Sequence, residues 1–389
     1  MGESTPTTLA EFTPAWLTEA LRAGGTITEA STVTAIEQEI LGQGEGFMGD
    51  LARLTLGYEG GNGPATVIAK IPTHVDLNRA TGRALGVYER EARIYAEILP
   101  TIDIPKPTVH TALYEAAGDE HELLDTMRKA QRLPLWLLRL LVRREQQNAD
   151  VPPCVLLIED LATAHVGDQV AGADPERIEA GLVVLARIHA ATWARRGLPD
   201  THWLQSAGVI PRIFHAMYLN GRRTFERDLR EVMSARSRAI VKGIRRDALA
   251  RTRRLHDQTP NCLLHGDYRL DNLFFDDDGE VAAVIDWQAA NPGPGVLDVA
   301  YFVVSSLHAS VPESTVDDLL GSYHATLVGA GVEGYGLDRC RADYVEALLV
   351  LVHRMPALTG SIDLGDGRGQ QLIDTWLERL DVRLQRVPA

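Results

Sequence analysis

The sequence CLLHGDYRLDNLFFDDDGEVAAVID occupies residues 262–286 and contains the densest set of structural signals in the chain. Apolar runs at 262–264 and 273–275 predict two short strands, with a polar loop between them. The acidic run that ends in glycine predicts a turn, and residues 281–285 predict a return strand. The resulting hairpin brings the two ends of the segment, and the polar side chains near them, close together.

Three of these polar side chains carry chemistry. Asp267 can accept a proton from a hydroxyl group, whereas Asn272 and Asp286 offer the hard oxygen atoms that Mg²⁺ prefers. If Asp286 does not bind the metal, the acids at 276–278 are the alternative ligands. A base beside a magnesium site indicates phosphoryl transfer from ATP, because such enzymes mainly position reactants and neutralise charge.

The spacing resembles a known superfamily. His-Gly-Asp ending at Asp267, four residues and then Asn272, followed by Ile-Asp-Trp around Asp286, is similar to the catalytic segment of aminoglycoside phosphotransferases and choline kinases. The resemblance implies that Asp267 is the catalytic base and that Asn272 and Asp286 bind Mg²⁺. It also implies that ATP is the phosphoryl donor.

A nucleotide-binding lobe is expected upstream. Residues 33–41, 51–58 and 66–71 alternate like strands, and the first two are joined by GQGEGFMG at 42–49. Glycines allow backbone N–H groups to approach phosphates closely, and we assign this role to Gly44 and Gly46. A plain glycine-rich hairpin is the alternative.

Lys70 lies in the otherwise apolar strand VIAKI and needs a partner if it is buried. The helical pattern at 86–99 supplies Glu91, with Glu89 and Glu97 as rivals. The sequence EARIY, which begins at Glu91, resembles the corresponding helix of ecdysteroid-kinase-like proteins. We therefore expect a Lys70–Glu91 ion pair; the alternative is a lysine that extends to solvent.

The apolar run at 155–161 predicts a buried strand. Its end, Glu159-Asp160-Leu161, is similar to the segment that precedes the hinge in ecdysteroid-kinase-like proteins. The resemblance implies that the backbone at Glu159 and Leu161 holds the adenine ring.

The chain beyond residue 174 reads as mostly helical. Patterns of helical spacing occupy 175–196, 212–234, 236–257, 314–330, 338–354 and 370–386. From the resemblance, His189 is expected to bond the catalytic-loop backbone. Asp298 is expected to steady the same loop, or else to be a helix N-terminal acid.

Residues 115–153 are too long for a simple connection between neighbouring strands. They include LPLWLLRLLVRR, which predicts an amphipathic helix with a basic edge. We expect an insertion on the N-terminal lobe that shapes acceptor choice. A lid, a partner surface and a membrane-facing helix are all compatible with the pattern.

Composition restricts the class of protein. The 389 residues are 45% hydrophobic with a net charge of −14, which argues against nucleic acid as the main partner. Three scattered cysteines suggest reduced thiols, and no apolar run spans a bilayer. We expect a cytoplasmic protein without stable membrane insertion; the sequence leaves its oligomeric state open.

Together these patterns predict an α+β, bilobal protein-kinase-like fold. Residues 1–160 would form a lobe with a five-stranded antiparallel sheet, and residues 161–389 a mostly helical catalytic and acceptor-binding lobe. The predicted function is phosphorylation, dependent on ATP and Mg²⁺, of a small-molecule hydroxyl. Three acceptor classes are open: an aminoglycoside or sugar, a hydroxylated lipid or hydroxyacyl thioester, and a steroid-like alcohol. The alternative is a nucleotide-binding pseudokinase that acts as a regulator.

Overall fold

A computed structural model describes residues 3–42, 48–115, 125–126, 128–195, 198, 203–204, 211–244, 246–359 and 367–387. The N-terminal part is built on a five-stranded sheet in which every neighbouring pair is antiparallel, in the order β1-β2-β3-β5-β4. The predicted five-stranded antiparallel sheet is confirmed. Their bounds are β1 Thr32–Leu41, β2 Gly49–Glu59, β3 Thr66–Pro72, β4 Val109–Tyr114 and β5 Cys154–Glu159.

The two faces of this sheet have different neighbours. Helix α1 (Pro14–Ala23) packs on one face, where Trp16 and Leu17 join the same apolar cluster as Val67 and Ala69 of β3. Because side chains alternate along a strand, Ile68 and Lys70 lie on the opposite face. Lys70 therefore faces the rest of the molecule rather than α1.

Helix α1 was not predicted, although its start signals are present in the sequence. Thr13 caps it by accepting a hydrogen bond from the Trp16 N–H at 3.0 Å, and Pro14 is its first residue. Two further helices, α2 (Asp76–Leu85) and α3 (Val87–Arg93), follow β3, and one π-helical turn extends α3 to Ile98. The predicted helix at 86–99 is confirmed.

The C-terminal part is mainly helical, as predicted. After α4 (Leu135–Glu145), its helices are α5 (Pro175–Ala191), α6 (Pro211–Val232), α7 (Ala235–Ile244), α8 (Ala248–Gln258), α9 (Val296–Ser306), α10 (Glu313–Gly329), α11 (Leu337–Thr359) and α12 (Arg368–Leu384). Its short strands are β6 (His165–Val166), β7 (Asn261–Leu264), β8 (Leu273–Phe275), β9 (Val281–Val284) and β10 (Asn291–Pro294). Strands β6, β8 and β9 form one small sheet, and β7 pairs with β10.

Two details differ from the sequence prediction. The helix predicted at 236–257 is two helices, because Asp247 has non-helical backbone angles (φ −122°, ψ 3°) at the start of α8. Strand β10, Asn-Pro-Gly-Pro, was not predicted because proline and glycine disfavour strands. It is tolerated in a two-stranded pair, where each strand has a free edge.

The described part of the 115–153 insertion contacts both parts of the molecule. Arg83 of α2 pairs with Glu145 of α4 at 3.1 Å, on the sheet side. On the helical side, Arg139 donates to the side-chain oxygen of Asn220 at 2.9 Å, and Val142 joins an apolar cluster with Met217. The expected placement on the N-terminal lobe is therefore incomplete, since α4 also packs on α6.

Within the described residues, no helix is both long enough and apolar enough to cross a membrane. The three cysteines are buried and form no disulfide.

Candidate active site

The catalytic hairpin is closed by a backbone hydrogen bond. The Ile285 N–H donates to the Asn272 carbonyl oxygen at 3.0 Å, which places Asp286 beside Asn272. Asp286 has φ 64°, a left-handed conformation that few residues other than glycine adopt and that aspartate tolerates. The acids at 276–278 belong to the turn itself, where the Asp276 side chain accepts backbone hydrogen bonds from Asp278 and Glu280.

Gly266 is required by space as well as by conformation. Its φ is +81°, and a Cβ atom there would lie 2.2 Å from the Ala289 carbonyl oxygen. The glycine of the His-Gly-Asp motif therefore lets the loop pass directly against the segment after Asp286.

Asp298 holds the backbone of the catalytic loop, as expected. Its carboxylate is buried and accepts the backbone N–H groups of His265 at 2.6 Å and Gly266 at 3.0 Å. Asp298 also lies in the first turn of α9, so the two expectations for it are compatible. His189 does not bond the loop backbone: it contacts the Tyr323 hydroxyl at 2.8 Å and approaches Asp298 at 3.5 Å. Its influence on the loop therefore passes through Asp298.

Three donors surround the Asp267 carboxylate. Tyr301 donates its O–H to Oδ1 at 2.7 Å, while Arg269 Nε lies 3.2 Å and Asn272 Nδ2 3.3 Å from Oδ2. Burial, reinforced by the charge of Asp267, raises the pKa of Tyr301 well above its ordinary value, so this hydroxyl keeps its proton. Burial works against the charge on Arg269, but Asp267 and Asp271 hold its pKa above the ordinary value. The carboxylate is thus held in one orientation and keeps lone pairs for a further donor.

Lys70 lies between two carboxylates. Its Nζ atom is 2.8 Å from Glu91 Oε1 and 2.6 Å from Asp286 Oδ1. The rivals Glu89 and Glu97 instead pair with Arg93. Burial, with a contribution from Asp286, raises the pKa of Glu91 to about 7 despite the attraction of Lys70. Burial opposes ionisation of Asp286 as well, but Lys70 holds its pKa below the ordinary value.

A second contact fixes helix α3 relative to the hairpin. Arg90 donates to the backbone oxygen of Gln288, two residues after Asp286, at 3.0 Å. The segments that carry Glu91 and Asp286 are therefore joined by this hydrogen bond as well as by the lysine that both carboxylates contact. Nothing in the sequence pattern singled out Arg90 for this role.

One cavity of about 700 Å³ lies between the sheet and the helical part, and it is lined by Lys70, Glu91, Asp267, Asn272 and Asp286. Glu159 and Leu161, the residues assigned to the hinge, also line it. Asp160 between them is anchored by Arg53 of β2 at 2.7 Å. Gly42 and Gly49 border the cavity, whereas Gly44 and Gly46 lie outside the described residues.

The far wall of the cavity comes from α12, more than 80 residues beyond the catalytic hairpin. Leu372, Ile373 and Trp376 line it together with Arg368, which contacts Asp271 and Asp168 at 3.3 and 3.4 Å. Sequence reasoning missed these residues, and it missed the role of Tyr301, although Tyr301 lies one helical turn after Asp298. The helical pattern at 370–386 was the available signal for the α12 residues.

The donor set near Asp286 fits magnesium. The side chains of Asn272 and Asp286 supply two hard oxygen ligands on one wall of the cavity. Among the described residues there is no cluster of three or more His, Cys, Asp or Glu side chains that could hold a metal. Magnesium bound with a nucleotide takes its remaining ligands from phosphate and water.

A lysine–carboxylate pair under an antiparallel sheet, facing a hairpin that carries Asp, Asn and Asp, defines a protein-kinase-like phosphotransferase. The chain belongs to the ecdysteroid kinase-like family, whose model matches residues 43–331, about three quarters of the chain. This assignment confirms the expected superfamily and fold class, and with them the expectation of a kinase.

No curated protein matches the chain in sequence. Among solved structures, a microcompartment-associated aminopropanol kinase shares 13% identity over 94% of this chain and 95% of its own, with a TM-score of 0.46. A choline kinase from Streptococcus pneumoniae shares 13% over 90% and 93%, with a TM-score of 0.40. An amicoumacin kinase in complex with AMP-PNP and Ca²⁺ shares 12% over 95% and 93%, with a TM-score of 0.45. Similarities this low assign no substrate to the chain.

Proposed function

We propose that the protein transfers the γ-phosphoryl group of ATP, with Mg²⁺, to a hydroxyl group of a small molecule. The observation that carries this proposal is the convergence of four polar side chains on one cavity. They are Lys70, Asp267, Asn272 and Asp286. Phosphoryl transfer needs little covalent chemistry from the protein, so placing a base, a cation and metal ligands around one space meets its main requirement.

Asp267 is the proposed catalytic base. With Tyr301 on Oδ1 and Arg269 on Oδ2, its carboxylate is oriented and retains lone pairs for the acceptor hydroxyl. It accepts the hydroxyl proton while the acceptor oxygen bonds to the γ-phosphorus and the bond to the ADP oxygen breaks. Tyr301 and Arg269 act through Asp267 and are positioning residues.

The opposite side of the cavity would hold the nucleotide. Lys70, kept in place by Glu91, is proposed to contact the α- and β-phosphates, and the backbone at Glu159 and Leu161 to hold the adenine. The amides of Gly44 and Gly46 are proposed to cover the phosphates. Asn272 and Asp286 would hold the metal, which when bound neutralises phosphate charge.

The far wall of the cavity, formed by α12, favours an acceptor molecule with an apolar body. Leu372, Ile373 and Trp376 line it, and the nearby carboxylate of Asp271 is already paired with Arg269 and Arg368. A polycationic aminoglycoside would find few unpaired acids here. We therefore favour a hydroxylated lipid, a hydroxyacyl group or a steroid-like alcohol as the acceptor.

An ATP-consumption screen tests the proposal, with one panel for each of the three acceptor classes. Asp267→Asn is the blank, because it keeps the size of the side chain and one acceptor oxygen but removes the base. Asp277→Asn is the matched control, since that side chain is 94% exposed in the turn of the hairpin. We expect turnover with at least one apolar alcohol, lost in Asp267→Asn and retained in the control.

Nucleotide binding, measured by calorimetry with Mg·ATP, separates the two candidate functions. Binding without turnover on any acceptor supports the pseudokinase alternative, and near-normal turnover in Asp267→Asn contradicts the assignment of the base.

Use of ATP and three buried thiols support a cytoplasmic location.

A further inference from the structure

Helix α4 has an outer face that no part of the described chain covers. Trp136 is 69% exposed and Leu140, one turn later on the same face, is 58% exposed. These are the two most exposed large apolar side chains among the described residues. The helix is anchored on its other sides, since Leu138 on the opposite face is buried and Arg139 donates to Asn220. The helix therefore holds Trp136 and Leu140 outward on a fixed support.

The charge around this face is opposite to that of the whole chain. Residues 128–144 contain six basic and no acidic residues, in a protein of net charge −14. Arg132, Arg143 and Arg144 are exposed, and among the described residues no carboxylate pairs with them. The one acid of α4, Glu145, is paired with Arg83. A local positive field thus surrounds the two apolar side chains.

We propose that this face of α4 docks on the surface of an anionic phospholipid bilayer. Tryptophan and leucine enter the boundary between head groups and acyl chains, while arginines contact lipid phosphates and keep their charge at the surface. A protein partner fits less well, because a stable interface buries about 800 Å² on each side and two side chains on one helix offer a smaller area. Peripheral docking of this kind needs no membrane-spanning helix and does not depend on the reaction proposed above.

Vesicle co-sedimentation of the full chain tests the proposal. Wild-type protein should bind vesicles of phosphatidylcholine with roughly 30 mol% phosphatidylserine, and should bind pure phosphatidylcholine at least about 10-fold more weakly. Raising the salt concentration should release it, because the attraction to the surface is screened. The fluorescence of Trp136 should shift to the blue on binding, and Trp136→Phe should lose that shift.

Two variants separate the contributions of charge and apolar contact. Arg143→Glu/Arg144→Glu and Trp136→Ser/Leu140→Ser should each weaken binding to the anionic vesicles by about 10-fold or more. The matched charge control is Arg187→Glu/Lys242→Glu, which changes net charge equally at exposed sites on α5 and α7. The apolar control is Val328→Ser, at a side chain that is 50% exposed on α10.

Because every changed residue is exposed, the variants should keep the unfolding temperature of the wild type. Binding that both α4 variants lose and both controls keep supports the proposal. Failure of the wild type to bind anionic vesicles, equal binding to neutral vesicles, or binding that survives both α4 variants overturns it.

Discussion

Glu91→Gln should change how the stability of the protein depends on pH. The side chain is buried, and burial raises its pKa from an ordinary 4.5 to about 7. A carboxyl group whose pKa is raised by folding stabilises the protein fully below its unfolded pKa. That stability is lost as pH rises through the folded value. Glutamine cannot ionise, and it can still accept a hydrogen bond from Lys70.

The magnitude follows from the two pKa values. Their difference corresponds to roughly 3 to 4 kcal/mol, since one pKa unit is worth about 1.4 kcal/mol. Roughly two fifths of this, on the order of 1 kcal/mol, is lost between about pH 6 and about pH 8.5. That window lies above the isoelectric point near 5.3, where solubility is lowest. Lys70 and Asp286 do not contribute there, because the pKa of Lys70 is raised above 10.5 and that of Asp286 is lowered below 3.8.

Urea unfolding of wild type and variant at several pH values within this window measures the effect. Buried histidines make the protein more stable as pH rises, because burial lowers the pKa of His256 to about 4 and of His353 to about 3. Their contribution cancels in the difference between wild type and Glu91→Gln. We expect wild type to lose stability on the order of 1 kcal/mol relative to the variant as pH rises across this window.

Glu89→Gln is the control, since it removes a carboxylate from the same helix at a partly exposed site. A difference between wild type and Glu91→Gln that does not change with pH would refute the reasoning. It would mean that Lys70 fully offsets the burial of the carboxylate.

Three further predictions concern the hairpin and the tyrosine that contacts it. Tyr301→Phe should lower kcat about 10- to 100-fold with little change in the KM for ATP, because it removes one hydrogen bond to the Asp267 carboxylate. A rise in the KM for ATP as large as the fall in kcat would instead assign Tyr301 to nucleotide binding. Asp286→Asn should lose Mg²⁺-dependent ATP binding in calorimetry while tolerating the left-handed backbone, whereas unchanged affinity would move the metal to another acid. Gly266→Ala should lower the free energy of unfolding by at least about 1 kcal/mol, because its Cβ meets the Ala289 carbonyl oxygen at a positive φ; a stability equal to wild type in urea unfolding would show that the loop can shift.

Local patterns in the sequence were sufficient for the sheet and for the residues of the hairpin. Strand alternation put Lys70 on one face of β3, and helical spacing identified the segment that carries Glu91. The motif around Asp267 and Asn272 identified the catalytic loop, because the chemistry of that loop depends on residue types at short, fixed separations. These features depend on residues that are close together in the chain, so they can be predicted without knowing the fold.

Tertiary structure alone decided which distant residues complete the site. Tyr301 reaches Asp267 because α9 packs under the loop, and Leu372 and Trp376 reach the cavity because α12 folds back over it. The choice of Glu91 over Glu89 and Glu97 depended on which side of α3 faces β3. The insertion also contacts α6, on the helical side of the molecule, because Arg139 and Val142 find partners there. Such contacts join segments far apart in the chain, and packing selects them through shape and burial that no local pattern records.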